Sequence, residues 1–156
     1  MMVSMIFLSA SRAAASSKRL GEVLDEKVDI SDVYAEQKDK QVQEGRIEFR
    51  NVSFRYYKNS EEKVLDNINV TIEPGSIVGI IGSTGCGKTT LVSMIPRLYD
   101  VDEGEVLVDG VHVKDYSLFN LREAVGMVLQ KNVLFSGSVK KNMLWGDPNA
   151  TDEEIT

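Results

Sequence analysis

Apolar and polar positions alternate over residues 46–54, with Ile47, Phe49, Val52 and Phe54 as the apolar members. This pattern predicts a half-buried strand. A second strand region covers residues 64–72, where Ile68, Val70 and Ile72 alternate with polar neighbours. Residues 59–63 are loop-like, and Pro74-Gly75 marks a turn. Together these segments predict a small antiparallel sheet. Residues 76–81 differ in kind: they form a short, nearly continuous apolar run. Such a run suits a strand buried on both faces of a parallel sheet. Residues 90–99 then place Leu91, Met94, Ile95 and Leu98 on one helical face, with Pro96 set to kink or end the helix.

Upstream, Met1 to Leu8 is apolar, Ala13 to Ala15 has high helix propensity, and Leu20, Val23 and Leu24 follow helical spacing. One helix over residues 1–26 is predicted. Residues 27–44 turn polar and charged without a period, as a solvated linker would. The remaining 45–156 form one domain. There is no internal repeat and no low-complexity tract.

Composition narrows the class. The 156 residues carry 18 Lys+Arg against 24 Asp+Glu, a net charge of −6, with 42% hydrophobic residues. These values fit a globular domain and exclude collagen, intrinsic disorder and a polytopic membrane protein. The acidic balance weighs against nucleic-acid binding, which relies on Lys and Arg neutralising phosphates. A single Cys and a single His rule out a disulfide framework and a Cys- or His-pair metal site. The apolar start lacks the basic flank of a signal peptide and is shorter than the ~20 residues of a membrane span. It reads either as a buried helical turn or as the end of a membrane helix that began further upstream. Arg12, Lys18 and Arg19 just beyond it would then mark the cytoplasmic side.

The chemistry concentrates after the apolar run. Gly82-Ser83-Thr84-Gly85-Cys86-Gly87-Lys88-Thr89 matches G-x-x-x-x-G-K-[ST] in full, between a predicted strand and a predicted helix. At ordinary residue frequencies the pattern arises by chance in about 1 in 200 chains of this length. Glycines let the backbone curl round an anion, and the following helix start adds positive character. Lys88 supplies a mobile charge for the outer phosphates. Thr89 offers a hydroxyl to Mg²⁺. Cys86 sits where a thiol can be activated, but no base accompanies it, so its role is contact through the backbone. His112 and Trp145 read as structural.

With these residues in place, the chain resembles the nucleotide-binding domain of ATP-binding cassette (ABC) transporters of the exporter type. Val52-Ser53-Phe54-Arg55-Tyr56 is similar to that family's segment carrying an adenine-stacking aromatic. Residues 82–90 are its phosphate loop. Val125 to Gln130 resembles the strand leading into its glutamine loop, which residues 132–139 continue. Tyr99-Asp100, Gly104-Glu105-Val106 and Asp109-Gly110 fit the stretch between the two loops. Residues 10–30 resemble the linker from the last membrane helix.

The resemblance implies an α/β fold: an incomplete P-loop NTPase (ABC ATPase) domain with a small antiparallel β subdomain and an N-terminal helix. It implies that Tyr56 stacks on adenine, with Tyr57 as rival, that Gly82, Ser83, Thr84, Gly85, Cys86, Gly87, Lys88, Thr89 and Thr90 hold the phosphates of ATP, and that Thr89 and Gln130 hold Mg²⁺. It implies a second nucleotide-binding domain and a membrane domain as partners, at the cytoplasmic face of the membrane. The family's Leu-Ser-Gly-Gly-Gln signature, its Walker B strand and its catalytic glutamate do not occur, so no catalytic residue is assigned and the chain is expected to be a piece of a longer ATPase. Thr151 to Glu154 has the form of a capping box that opens a further helix. Two other readings compete: another P-loop enzyme, such as a nucleotide kinase or GTPase, and a non-catalytic fragment. A GTPase would need Asn-Lys-x-Asp, which is absent.

Overall fold

The computed structural model describes residues 2–131 and 133–155, with side chains from residue 10 onward. The side chains of the apolar start, and Asn132 of the glutamine-loop segment, lie outside the described residues. The chain divides into two units, one running to Val125 and the other starting at Gly126.

The first unit is built on a four-stranded antiparallel sheet. Its strands are β1 (Ile47–Phe54), β2 (Leu65–Ile72), β3 (Glu103–Val108) and β4 (Val111–His112), in the order β2-β1-β3-β4. β1 is central, pairing Phe49 with Val70 on one side and with Val106 on the other. Its apolar parity changes along its length, from Ile47 and Phe49 to Val52 and Phe54. A strand has period two, so an extra residue is needed to return both pairs to one face. Asn51 supplies it: the pairing shifts between Phe49 and Val52, and Asn51 has φ 51. Its backbone N–H donates to Asn69 Oδ1 at 2.9 Å. Gly104 of β3 makes room for this bulge. A Cβ there would lie 2.3 Å from the carbonyl oxygens of Arg50 and Asn51, and Gly104 has φ +79.

Phe49, Val52 and Phe54 are buried with Leu65, Val106 and Val108 of the neighbouring strands. Met94, Tyr116 and Leu121 complete the cluster from the other side of the chain's course. The Tyr116 hydroxyl donates to the Val108 carbonyl at 3.0 Å, which satisfies a phenol that is fully buried. Glu48, on the central strand, is buried and is held as a carboxylate by Arg50, at 2.8 Å, and by Arg46. The hydrogen bond from Arg50 is the main reason its pKa falls below the usual range.

Three helices belong to this unit. α1 (Met2–Leu24) matches the predicted N-terminal helix in type and extent. Among its described side chains, Leu20, Val23 and Leu24 are exposed. α2 (Lys88–Ser93) is shorter than the expected helix over 90–99. Pro96 disfavours helical geometry before it, and the chain turns off through Arg97 at φ 50. Arg97 is buried and forks onto Asp100, with Nε–Oδ1 at 2.8 Å and Nη2–Oδ2 at 3.2 Å. α3 (Leu118–Glu123) is capped by Ser117, whose hydroxyl accepts from the N–H of Asn120 at 3.1 Å.

The polar segment before β1 is not simply a solvated linker: most of its side chains are exposed, but Val42 packs against the core and its backbone is pinned to the unit. Leu118 N–H donates to Asp32 at 2.9 Å, and this bond holds the Asp32 carboxyl below the usual range. The N–H of Gln37 donates to the Asp115 carbonyl at 2.8 Å. Asn120 reaches the carbonyls of Lys38 and Lys40 at 2.9 and 3.1 Å. Asp109 accepts from the backbone N–H groups of Gln43, Glu44 and Arg46 at 2.7, 3.0 and 2.9 Å.

The second unit contains α4 (Val139–Met143) and α5 (Asp152–Ile155). Asn142 exchanges hydrogen bonds with the backbone of Phe135, at 2.7 and 3.0 Å. The rings of Phe135 and Trp145 stack at 5.3 Å. The capping box at Thr151 forms in both directions: Thr151 N–H donates to Glu154 at 2.9 Å, and Glu154 N–H donates to the Thr151 hydroxyl at 3.4 Å.

Two predicted strands do not appear. Residues 76–81 carry no ladder, and Ile77 and Ile81 stand fully exposed. Residues 125–129 are likewise unpaired, with Val128 exposed. A strand exists only with a neighbour to take its backbone hydrogen bonds. Among the described residues, no parallel strand flanks either run.

Candidate functional site

The phosphate-loop segment leaves the apolar run at Gly82 and enters α2 at Lys88. Its shape depends on positive φ at Gly85 and Gly87, 84° and 91°. Gly87 also packs on the entry to β2: a Cβ there would lie 2.8 Å from the Val64 carbonyl oxygen. The glycine therefore sets both the turn into α2 and its seating against the sheet. Gly87 stands at the N-cap of α2, where no side chain caps the first turn.

Lys88 folds back over this loop. Its ammonium donates to the carbonyls of Gly82 and Ser83 at 2.9 and 2.7 Å, and lies 3.7 Å from Cys86 Sγ. Both strong partners are neutral. Cys86 is an exposed free thiol. Thr89 is exposed on the first turn, while Thr90 beside it is buried.

Thr90 turns to the aromatic segment. Its hydroxyl lies 2.8 Å from that of Tyr56. Tyr56 follows the end of β1, half-exposed, with its ring edge-on to Phe54 at 5.0 Å and to Tyr99 at 5.3 Å. Tyr57, the rival, is 78% exposed. A cleft of about 280 Å³ opens beside Tyr56, lined by Phe54, Tyr99 and the linker residues Asp29 and Ile30. The structure thus brings Tyr56, Thr90 and the loop residues 82–89 into one connected region. Gln130 belongs to the second unit, exposed, and is described with it.

Sequence reasoning gave Tyr99 and the linker wall of the cleft no role at the site. Tyr99 meets Tyr56 only because the chain turns at Arg97, and no spacing in the sequence encodes that meeting. His112 is structural, as read: its Nδ1 accepts from the Lys114 N–H at 3.0 Å. Burial, helped by Lys114, lowers its pKa. Among the described residues no cluster of His, Cys, Asp or Glu is fit to hold a metal.

A glycine loop of this form, with its lysine laid across it and an antiparallel sheet at its flank, is an incomplete domain of the P-loop fold. The family model described as ABC transporter matches residues 65–156. The chain belongs to the ABC transporter family. It is 44% identical over 134 residues to a multidrug export ATP-binding/permease protein of Staphylococcus aureus (strain NCTC 8325), covering 86% of this chain and 23% of that protein. A counterpart from the bovine strain RF122 is 43% identical over the same length. The structure of a bacterial Atm1-family ABC exporter with ATP bound superposes with a TM-score of 0.84 at 27% identity, covering 97% of this chain and 26% of the other. The chain spans about a quarter of the length of these relatives. No helix among its described residues is long and apolar enough to cross a membrane.

Proposed function

We propose that this chain is the ATP-holding part of an ABC exporter, with the polyphosphate on residues 82–89 and the base on Tyr56. The observation that carries the reading is the station of Lys88. Its ammonium rests on two neutral carbonyls, at 2.9 and 2.7 Å, over a loop of glycines. A phosphate oxygen offers the same donor a full negative charge. At an effective dielectric of ~20 and ~4 Å, a charge pair is worth about 4 kcal/mol before desolvation. The lysine is therefore held in reach yet readily drawn to an anion.

The remaining assignments follow from residue chemistry and family likeness. The amides and glycines of Gly82, Ser83, Thr84, Gly85, Cys86 and Gly87 wrap the phosphates. Thr89 and Gln130 offer oxygen to Mg²⁺, which when bound neutralises phosphate charge. The exposed hydroxyl of Thr89 fits that hard-ion role. Tyr56 presents a half-open aromatic face for a purine, and base–aromatic stacking is worth about 1–3 kcal/mol. In the transporter, ATP joins two such domains and its hydrolysis parts them. That motion drives a membrane domain from the cytoplasmic face and exports a substrate. These 156 residues hold no group assigned as general base, so the chain alone turns ATP over poorly. Phosphate release by this chain that vanishes with Lys88→Ala would overturn that part.

The decisive test is titration calorimetry with Mg-ATP. Lys88→Ala is expected to weaken binding at least about tenfold while leaving the unfolding midpoint close to that of the unaltered chain. Absence of any heat with folded, unaltered protein would sink the nucleotide reading.

A further inference from the structure

The connection between Tyr56 and Thr90 is not explained by phosphate binding. Thr90 lies in the first turn of α2, two residues past Lys88, and is 5% exposed. Its hydroxyl is 2.8 Å from the Tyr56 hydroxyl. Tyr56 is 49% exposed, so one part of its ring surface is open while the other is packed. The packing is perpendicular on both contacts: 82° to Phe54 and 85° to Tyr99. Edge-to-face contacts of this kind favour one ring tilt but leave the ring some freedom to swing about χ1 and χ2. The hydroxyl bond to a buried, backbone-fixed partner removes it. A β-branched threonine on a helix has few rotamers, which makes it a stiff anchor.

We propose that Thr90 is a positioning residue for the base platform. Its hydroxyl holds Tyr56 at a fixed distance and tilt relative to the phosphate loop. A nucleotide therefore meets an aromatic face and a lysine already set for one spacing of base and phosphates. The proposal rests on the nucleotide reading of this site and adds to it a function for a threonine otherwise counted among the phosphate-holding residues. Binding that needs no reordering of the platform is tighter for the same contacts.

The test separates base from phosphate. Mg-ATP and Mg-tripolyphosphate, which has the phosphates without the base, are titrated into the full chain. Thr90→Val and Tyr56→Phe each remove the bond with near-identical shape. Each is expected to lower the ratio of ATP to tripolyphosphate affinity by about three- to tenfold. The double variant is expected to show no further loss, and Thr90→Ser, which keeps the hydroxyl, to restore the ratio. A Thr90→Val effect equal on both ligands, or additive losses in the double variant, would overturn the proposal. Should Thr90→Val fail to fold, Tyr56→Phe decides alone, since it leaves α2 untouched: an unchanged ratio overturns it. If neither ligand binds the unaltered chain, the nucleotide reading itself falls instead.

Discussion

Residues 47–54 and residues 76–81 are both short and rich in apolar side chains, and they end in opposite states. The first becomes the central strand of a sheet, with Val52 at 0% exposure. The second carries no ladder and leaves Ile77 fully exposed. Hydrophobicity does not separate them, for the second run is the more continuous. Partners do. β1 has β2 on one side and β3 on the other, so its backbone groups are satisfied and its apolar face meets a core. Beside the second run lies an apolar groove of about 460 Å³, walled by Phe49, Ile68, Val78, Ile80, Leu91 and Ile95 among others. An apolar run states a demand for burial; neighbouring segments decide whether the demand is met.

The contrast can be broken most forcefully at Gly104. Gly104→Ala places a Cβ 2.3 Å from two carbonyl oxygens at a positive φ. A loss of about 3–5 kcal/mol in unfolding free energy is expected by denaturant titration, because the β1 bulge must move or the strands part. A loss under about 1 kcal/mol would mean that the bulge is not held by this strand pair. Next, Val52→Ala is expected to cost about 2 kcal/mol, from two lost methyl groups and the cavity left behind.

A smaller effect tests the polar pinning of residues 43–46 beside the sheet. Burial pushes the Asp109 carboxyl up, but the backbone N–H groups of Gln43, Glu44, Arg46 and Gly45 outweigh it and hold its pKa below the ordinary value of 3.8. The bonded form is the carboxylate. Its stabilising contribution is complete above pH 3.8 and drains away as pH falls through the lowered folded value. Asp109→Asn is expected to cost about 1 kcal/mol at neutral pH, near the low end for charged hydrogen bonds because water reaches the site. It should also flatten the stability profile in that acid window. His112 adds an earlier step. Its folded pKa lies below 6.5, so its neutral form supports the fold above that pH and its contribution is lost as pH drops through the lowered value. An unfolding profile that is level from pH 7 to 5 would count against the His112 assignment.

The smallest change sharpens the contrast from the other side. Ile77→Ala removes more apolar volume than Val52→Ala, yet should alter stability by less than about 0.5 kcal/mol, since Ile77 touches water on every side. Equal losses at Ile77 and Val52 would abolish the distinction.

Much of the architecture was legible beforehand. The N-terminal helix, the two strands flanking residues 59–63, the glycine loop and the Thr151 capping box all follow from local rules: periodicity, turn chemistry and cap geometry. These depend on residues within a turn or two of one another. The glycine loop was the clearest signal, because Gly85 and Gly87 turn at positive φ where the motif spaces them. Other expectations failed for lack of neighbours rather than lack of pattern. Residues 76–81 and 125–129 have strand-like sequences but no partners, whereas the stop of α2 at Ser93, ahead of Pro96, is a local effect that the proline had signalled.

By itself, then, the sequence determined the N-terminal helix, the two strands flanking residues 59–63 and the turns of the glycine loop, since each is set by backbone sterics and short-range hydrogen bonding. Only the tertiary structure decided that Asn51 bulges against Gly104, that Tyr99 meets Tyr56, and that Thr90 hands its hydroxyl to Tyr56. Each of these joins residues far apart along the chain. Their meeting depends on how strands register and where helices stop, and no local pattern carries that information.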